Sequence, residues 1–252
     1  MANFGCMTNC GIFCGAYNLT GRSNDVRFTL NKAILDRSYF GAGNARIKGT
    51  GLESASVTVH GYYDPTIDIE RDYLGVDTPV SVFFPATGGA AVAAGDTALF
   101  FKALEPGYRR GAAFGQDEMF EFTAEGHQLG YPVGVGYVLN PGLVAVTADN
   151  TPAASIVNLG AAAANQYVYG VLHVTSISTD EAIVIKIQSD ALVGFGSPTD
   201  IITFGSKAAI GSEIAVRVAG DGSGDAWWRA YADVTVTGEP CSVTFGCAMA
   251  IR

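Results

Sequence analysis

Val26-Arg27-Phe28-Thr29-Leu30 places an apolar residue at every second position, and Ala55-Ser56-Val57-Thr58-Val59-His60-Gly61-Tyr62 repeats the pattern. Strict alternation is the period of a strand with one face buried and one face wet. The signature recurs at 119–123, 171–177, 183–187, 214–218, 232–236 and 241–247. β-branched and aromatic residues fill these runs, and Gly, Asp, Asn and Pro separate them. Helix signals are few. Asp68 to Leu74 has an N-cap residue at its start and Gly75 as a stop, and Leu30 to Ser38 is a second candidate. The tract Ala90 to Ala94 lies between Gly88-Gly89 and Gly95 and reads as loop. The prediction is an all-β chain, an antiparallel sandwich or barrel with a short helix.

Composition narrows the class. Of 252 residues 48% are hydrophobic and 15% charged, which is too apolar for a disordered chain. Glycine supplies 32 residues without a three-residue period, so collagen is excluded. The apolar run Val168 to Val174 is broken by Gly170 and His173, well short of the roughly 18 residues a membrane helix needs, and no membrane is expected. The net charge is −9, with 10 basic and 14 acidic side chains in residues 1–130 and 5 and 10 in 131–252. That even acidity argues against tight binding of nucleic-acid phosphates. No Lys or Arg precedes Arg22, so a secretory signal is not expected. The Gly-rich, charge-free segment Gly130 to Gly136 suggests a division into 1–130 and 131–252.

Chemistry-bearing patterns are sparse. His60 and His173 fall inside strand patterns and read as packed or edge residues, and His127 stands apart. No nucleophile elbow, His-Glu-x-x-His or Walker loop occurs. Cys6, Cys10 and Cys14 are spaced for one helix face, and Cys241 and Cys247 for one strand face. Neither set has zinc-knuckle spacing, and an odd total of five fits small buried thiols in a reducing compartment. Gly220 to Asp225 lacks the acid pattern of a calcium loop and reads as a hairpin turn. Trp227-Trp228 precedes a strand, so one ring is expected in the core and one at a surface. Arg109-Arg110 sits between Gly107 and Gly111 and reads as a turn, or as a salt-bridging contact to a neighbouring subunit. No enzyme, metal or cofactor is expected from these residues.

Three blocks are more specific. The first runs from Asn24 through Leu35-Asp36-Arg37-Ser38-Tyr39-Phe40-Gly41 and Ala45-Arg46-Ile47-Lys48-Gly49. It continues from Gly51-Leu52-Glu53-Ser54-Ala55-Ser56-Val57 to Gly61-Tyr62-Tyr63-Asp64. The second runs from Gly95-Asp96-Thr97 to Leu104 and from Gly115-Gln116-Asp117 to Gly126. The third comprises Tyr169 to Val174, Ile185 to Asp190, Phe195, Ser197 to Asp200 and Trp227-Trp228-Arg229. Together they resemble the major tail tube proteins of long-tailed bacteriophages and related archaeal tailed viruses. The cysteine-rich N-terminus departs from that pattern.

The resemblance implies a sandwich fold contributing strands to a ring-shaped inner β-barrel, with a C-terminal β-sandwich in 131–252 on the exterior. It implies a structural virion protein, assembled in the host cytoplasm and located in the tail. Its rings, six-fold or pseudo-six-fold, stack into an acidic-lined conduit for genome delivery. Its partners are further copies of itself, a tape measure protein, and tail terminator and baseplate proteins. Viral DNA passes through without specific binding. Val26 to Leu30 and Ser54 to Tyr62 are the candidate barrel wall. Arg37, Tyr39, Phe40, Arg46, Lys48, Arg109 and Arg110 are the candidate contact residues between rings or subunits. Asp36, Glu53, Asp117, Glu118 and Glu121 are the candidate lumen or interface acids. The loops Arg37 to Gly51 and Ala86 to Gly95 are expected to order on stacking. Two other readings stay open: a capsid head decoration protein, and a glycan-binding β-sandwich for which Trp227, Trp228 and the tyrosines are the pointers.

Overall fold

The computed structural model describes residues 9–21, 23–36, 48–62, 76–111, 119–126, 133–146, 151, 155–178, 182–215, 218–220, 222–234 and 242–252. These form sixteen strands and, among the described residues, no helix. The strands are β1 (Gly11–Cys14), β2 (Tyr17–Asn18), β3 (Ser23–Asp36), β4 (Lys48–Tyr62), β5 (Asp77–Phe84), β6 (Thr97–Gly111), β7 (Met119–Gly126) and β8 (Gly134–Val146). There follow β9 (Val157–Asn158), β10 (Tyr167–Ile177), β11 (Ile183–Asp190), β12 (Thr199–Thr203), β13 (Gly211–Ile214), β14 (Val218–Ala219), β15 (Trp227–Val234) and β16 (Ser242–Ile251). The all-β expectation holds. The helix considered for Leu30 to Ser38 is corrected: Leu30 to Asp36 continue β3, paired with Lys48 to Ala55 through a register shift between Lys32 and Ile34. Helix propensity there is a weak preference that a cross-strand ladder overrides. The stretch Asp68 to Leu74 lies outside the described residues.

All pairings are antiparallel. One sheet of twelve strands follows the order β13-β10-β16-β8-β6-β5-β1-β2, with a branch from β6 through β7 and β4 to β3. A separate sheet has the order β12-β11-β15-β9. The long sheet folds back on itself, and the alternation of side chains shows how. In β1, Ile12 and Cys14 face one core while Phe13 faces another; in β5, Val80 and Val82 oppose Phe83 in the same way; in β6, Phe101 and Ala103 oppose Ala98 and Phe100. These strands form an inner layer buried on both faces, so β1 carries no polar alternation and all four of its residues are buried.

On one side of this layer lie β3 and β4, which contribute Val26, Phe28, Ala55, Val57 and Val59. On the other side lie β8, β10 and β16, which contribute Val138, Tyr169, Val171, Ala248 and Ala250. The opposite faces of β10 and β16 then pack through Val168, Leu172, Val174, Phe245, Cys247 and Met249 onto β11 and β15, where Ile185, Ile187, Trp228 and Ala230 are buried. The result is four layers enclosing three cores. Each fully buried Phe or Leu side chain contributes about 1.5–3 kcal/mol.

One strand, β6, turns the corner. The first half of β6 pairs with β5 and β8, and its second half pairs with β7. The register shifts between Leu104 and Gly107, where Pro106 brings no N–H to the ladder. β6 and β8 flank residue 130 and are hydrogen-bonded neighbours, Thr97 to Phe100 against Tyr137 to Gly134, so segments 1–130 and 131–252 share one sheet. The segment Gly220 to Asp225 does not close a hairpin, which corrects the expectation. It carries the chain from β14, paired to β10, across to β15 in the separate sheet. Gly222 and Gly224 do take positive φ there, at 67° and 85°.

Candidate assembly surface

β3, β4, β7 and β6 run side by side, joined from Ser23 opposite Gly61 to Asp36 opposite Lys48, then Ser56 opposite Glu125, then Arg109 opposite Glu121. Among the described residues no strand covers the outer edge of β3. None covers residues 105–111 of β6 on the side away from β7, because β5 stops at Asp77 opposite Leu104. Unpaired edges are rows of backbone donors and acceptors ready for another chain. β3 turns Val26 and Phe28 inward, while Asp25, Arg27, Thr29 and Asn31 are exposed and Leu30 remains 47% exposed where the core runs out. Arg27 Nε donates to Asp25 Oδ2 at 3.2 Å on this open face.

Past Ser56, β4 leaves β7, so residues 31–36 and 48–54 pair only with each other among the described residues. This two-stranded arm extends about 20 Å at roughly 3.3 Å per residue.

The candidate residues fall on this surface in a regular way. Asp36 stands opposite Lys48, Glu53 opposite Lys32, and Glu121 between His60 and Arg109. Each described acid of the set therefore stands at a register position opposite a basic residue. Arg109 and Arg110 belong to β6, opposite Glu121 and Phe120, which corrects the turn expected between Gly107 and Gly111. The ladder with β7 holds the glycine-flanked pair extended. Arg37, Tyr39, Phe40, Arg46, Asp117 and Glu118 lie outside the described residues.

Elsewhere the polar groups serve the fold. The loop Ala86 to Gly95 is gathered by Asp96, which accepts from Ala86 N at 3.0 Å and Ala93 N at 2.8 Å. His173 is fully buried, with Nδ1 2.7 Å from the Gly15 carbonyl and Nε2 2.7 Å from Ser81 Oγ. This serine–histidine pair is sealed between two layers, so it fastens them together. Cys10, Cys14 and Cys247 are buried thiols, as expected, with no disulfide among the described residues, and burial raises the pKa of Cys10 and Cys247. Cys6 and Cys241 lie outside the described residues. Trp228 is buried and donates Nε1–H to the Gly160 carbonyl at 2.8 Å, while Trp227 is half-buried on the opposite face.

The outer face of the separate sheet holds a network that the sequence did not disclose. Lys186 lies 3.0 Å from Asp200 and 2.7 Å from Asp233, contacts that raise its pKa. Gln188 Nε2 donates to Asp200 Oδ1, and Arg229 Nε donates to Gln188 Oε1. Arg229 lies 4.2 Å from the Phe195 ring centroid and 5.0 Å from that of Tyr231. The signal was the alternation of Trp227, Arg229, Tyr231 and Asp233, which puts all four on one face.

No family model matches the chain, and no curated protein matches it. Among solved structures, a chain of the virion of a native gene transfer agent particle is 14% identical with a TM-score of 0.37, over 50% of this chain and 95% of that one. A chain from the tail of an empty gene transfer agent particle, refined with six-fold symmetry, is 15% identical with a TM-score of 0.35, over 45% and 81%. The SPP1 Dit protein, described as a paradigm of the hub adsorption apparatus in phages infecting Gram-positive hosts, is 13% identical with a TM-score of 0.28, over 96% and 99%. At these values none of them assigns a fold or a role to this chain.

Proposed function

We propose that the protein is a structural subunit of a viral tail that joins copies of itself into rings, and that the rings stack into a tube. The observation that carries this reading is the sheet β3-β4-β7-β6, whose two outer edges no described strand covers. The edge of β3 in one copy laid against the edge of β6 in the next continues the antiparallel order. The contact is head-to-tail, so it closes into a ring when the rotation per copy divides a full turn. Closure pairs both of these edges, which a single copy cannot do.

The motif blocks supply the second line of support, since they resemble tail tube proteins over most of the chain. In this reading residues 1–130 furnish the ring, and residues 131–252 add the outer layers. The arm formed by residues 31–36 and 48–54 reaches the adjacent ring. The net acidity of the chain keeps passing DNA from adhering. The tape measure, terminator and baseplate proteins are the partners of such a tube in the virion tail. The protein works by assembly rather than catalysis.

Electron microscopy of the purified protein, concentrated at low and moderate salt, tests the reading. Hollow tubes or stacked rings are expected, and end-on views count the copies. Leu30→Lys adds a charge at the exposed margin of β3 and should abolish rings while leaving the monomer folded. Discrete small particles from the parent protein under all conditions would overturn the proposal.

A further inference from the structure

Arg229 has an unusual setting. Its guanidinium lies against the Phe195 and Tyr231 rings, and its Nε donates to Gln188 at 2.8 Å. Among the described residues neither of its terminal nitrogens has a hydrogen-bond or ion-pair partner. Asp190 and Asp200 act on it only at longer range, and burial lowers its pKa. A guanidinium fork is normally satisfied by a carboxylate or by water. Here it is oriented and stripped of part of its water, yet left with its donors available.

A second feature points to the same place. Phe195 has a φ of 47°, the one positive φ outside glycine among the described residues. Its neighbours Gly194 and Gly196 would take that conformation without strain, whereas Phe pays roughly 1 kcal/mol or more. The loop is pinned by Asp190, which accepts from Leu192 N at 2.8 Å and Ser197 N at 3.0 Å. The strain is held where it lays an aromatic ring against Arg229. The same loop lifts Leu192 and Val193 into solvent, 70% and 54% exposed, as a rim beside the sheet.

We propose that this outer face, centred on Arg229, binds a neutral saccharide. Trp227, Arg229 and Tyr231 form a row on one face of β15, with Gln188 opposite Arg229 and Asp200 opposite Gln188 in the neighbouring strands. Aromatic rings beside paired donors and acceptors match the apolar faces and vicinal hydroxyls of a sugar. An anion is the competing ligand for a free arginine fork. The face carries Lys186 and Arg229 against Asp190, Asp200 and Asp233, a net negative set that disfavours it. The proposal stands independently of ring assembly, because the site lies within one copy.

The test is an array of neutral hexose and N-acetylhexosamine oligosaccharides, with sulfated and sialylated glycans beside them, probed with the full chain. Binding to at least one neutral oligosaccharide is expected, accompanied by a change in tryptophan fluorescence. Arg229→Lys keeps the charge and loses the fork, and should weaken that binding at least tenfold. Trp227→Ala should do the same. Thermal unfolding of both variants checks that the fold persists. Ala at Leu192, on the rim, should cost less than threefold. No binding to any neutral glycan, or binding only to anionic glycans that salt removes, would overturn the proposal. Neutral binding that survives both Arg229→Lys and Trp227→Ala would overturn it as well.

Discussion

Ser81 Oγ lies 2.7 Å from His173 Nε2, and the bond joins β5 to β10 across the central core. The Gly15 carbonyl can only accept, so Nδ1 carries a proton. Burial keeps the ring neutral at pH 7, and in that form Nε2 accepts from the serine hydroxyl. Burial holds its pKa down at about 4, against an ordinary value of 6.5. The unfolded chain binds the proton first, so stability is complete above pH 6.5 and falls as the pH drops towards 4. The loss across that window is on the order of 3 kcal/mol. Denaturant unfolding at pH 7, 5.5 and 4.5 should show it. His173→Leu should be less stable at pH 7 and lose this contribution to the pH slope.

Gly136 tolerates no side chain. A Cβ there would stand 1.9 Å from the Met249 carbonyl oxygen and 2.7 Å from the Ala250 Cα, both backbone atoms. Gly136→Ala should force β8 away from β16 and cost about 4 kcal/mol or more. The expected readout is insoluble expression, or a fall in Tm well beyond that of Gly194→Ala, a position with open space around it.

Trp228→Phe should keep most of the packing and leave the Gly160 carbonyl without its donor. A buried acceptor left unmet costs about 1–3 kcal/mol. Denaturant midpoints of the two proteins measure the difference.

Asp96→Ala should loosen one loop while the sheet stays intact. The Ala86 and Ala93 amides lose their acceptor, at about 1–3 kcal/mol for charge-assisted bonds. Hydrogen exchange should quicken at those two amides and remain slow in β5 and β6.

The strands were legible because their alternation is local. Trp227–Val234 alternates half-buried and buried residues throughout, so the periodic pattern carried both the strand and the split between Trp227 and Trp228. Leu30 to Asp36 misled because Lys, Ala and Leu favour helix locally, while the ladder partner that fixes the backbone stands up to 25 positions away, at Ser54 for Asn31 and Ala55 for Leu30. The layering was hidden for a related reason. Ile12, Phe13 and Cys14 read as one apolar run, and no local signal reveals that alternate residues enter different cores. The partners of His173 lie 92 and 158 residues away, so the sequence suggested a packed histidine without its bonds. The Arg229 platform needed Phe195, supplied by a loop whose backbone strain leaves no mark in the sequence.

β6 is one continuous strand with two duties. From Thr97 to Leu104 it is wedged between buried faces, and from Gly107 to Gly111 it belongs to the open-edged sheet. A tilt imposed on that sheet must therefore twist a rod whose other end is clamped in close-packed side chains, which yield little. In the proposed ring, a push received at the arm would pass through β6 into the inner layer, and neighbouring copies would feel one another's orientation as a mechanical load.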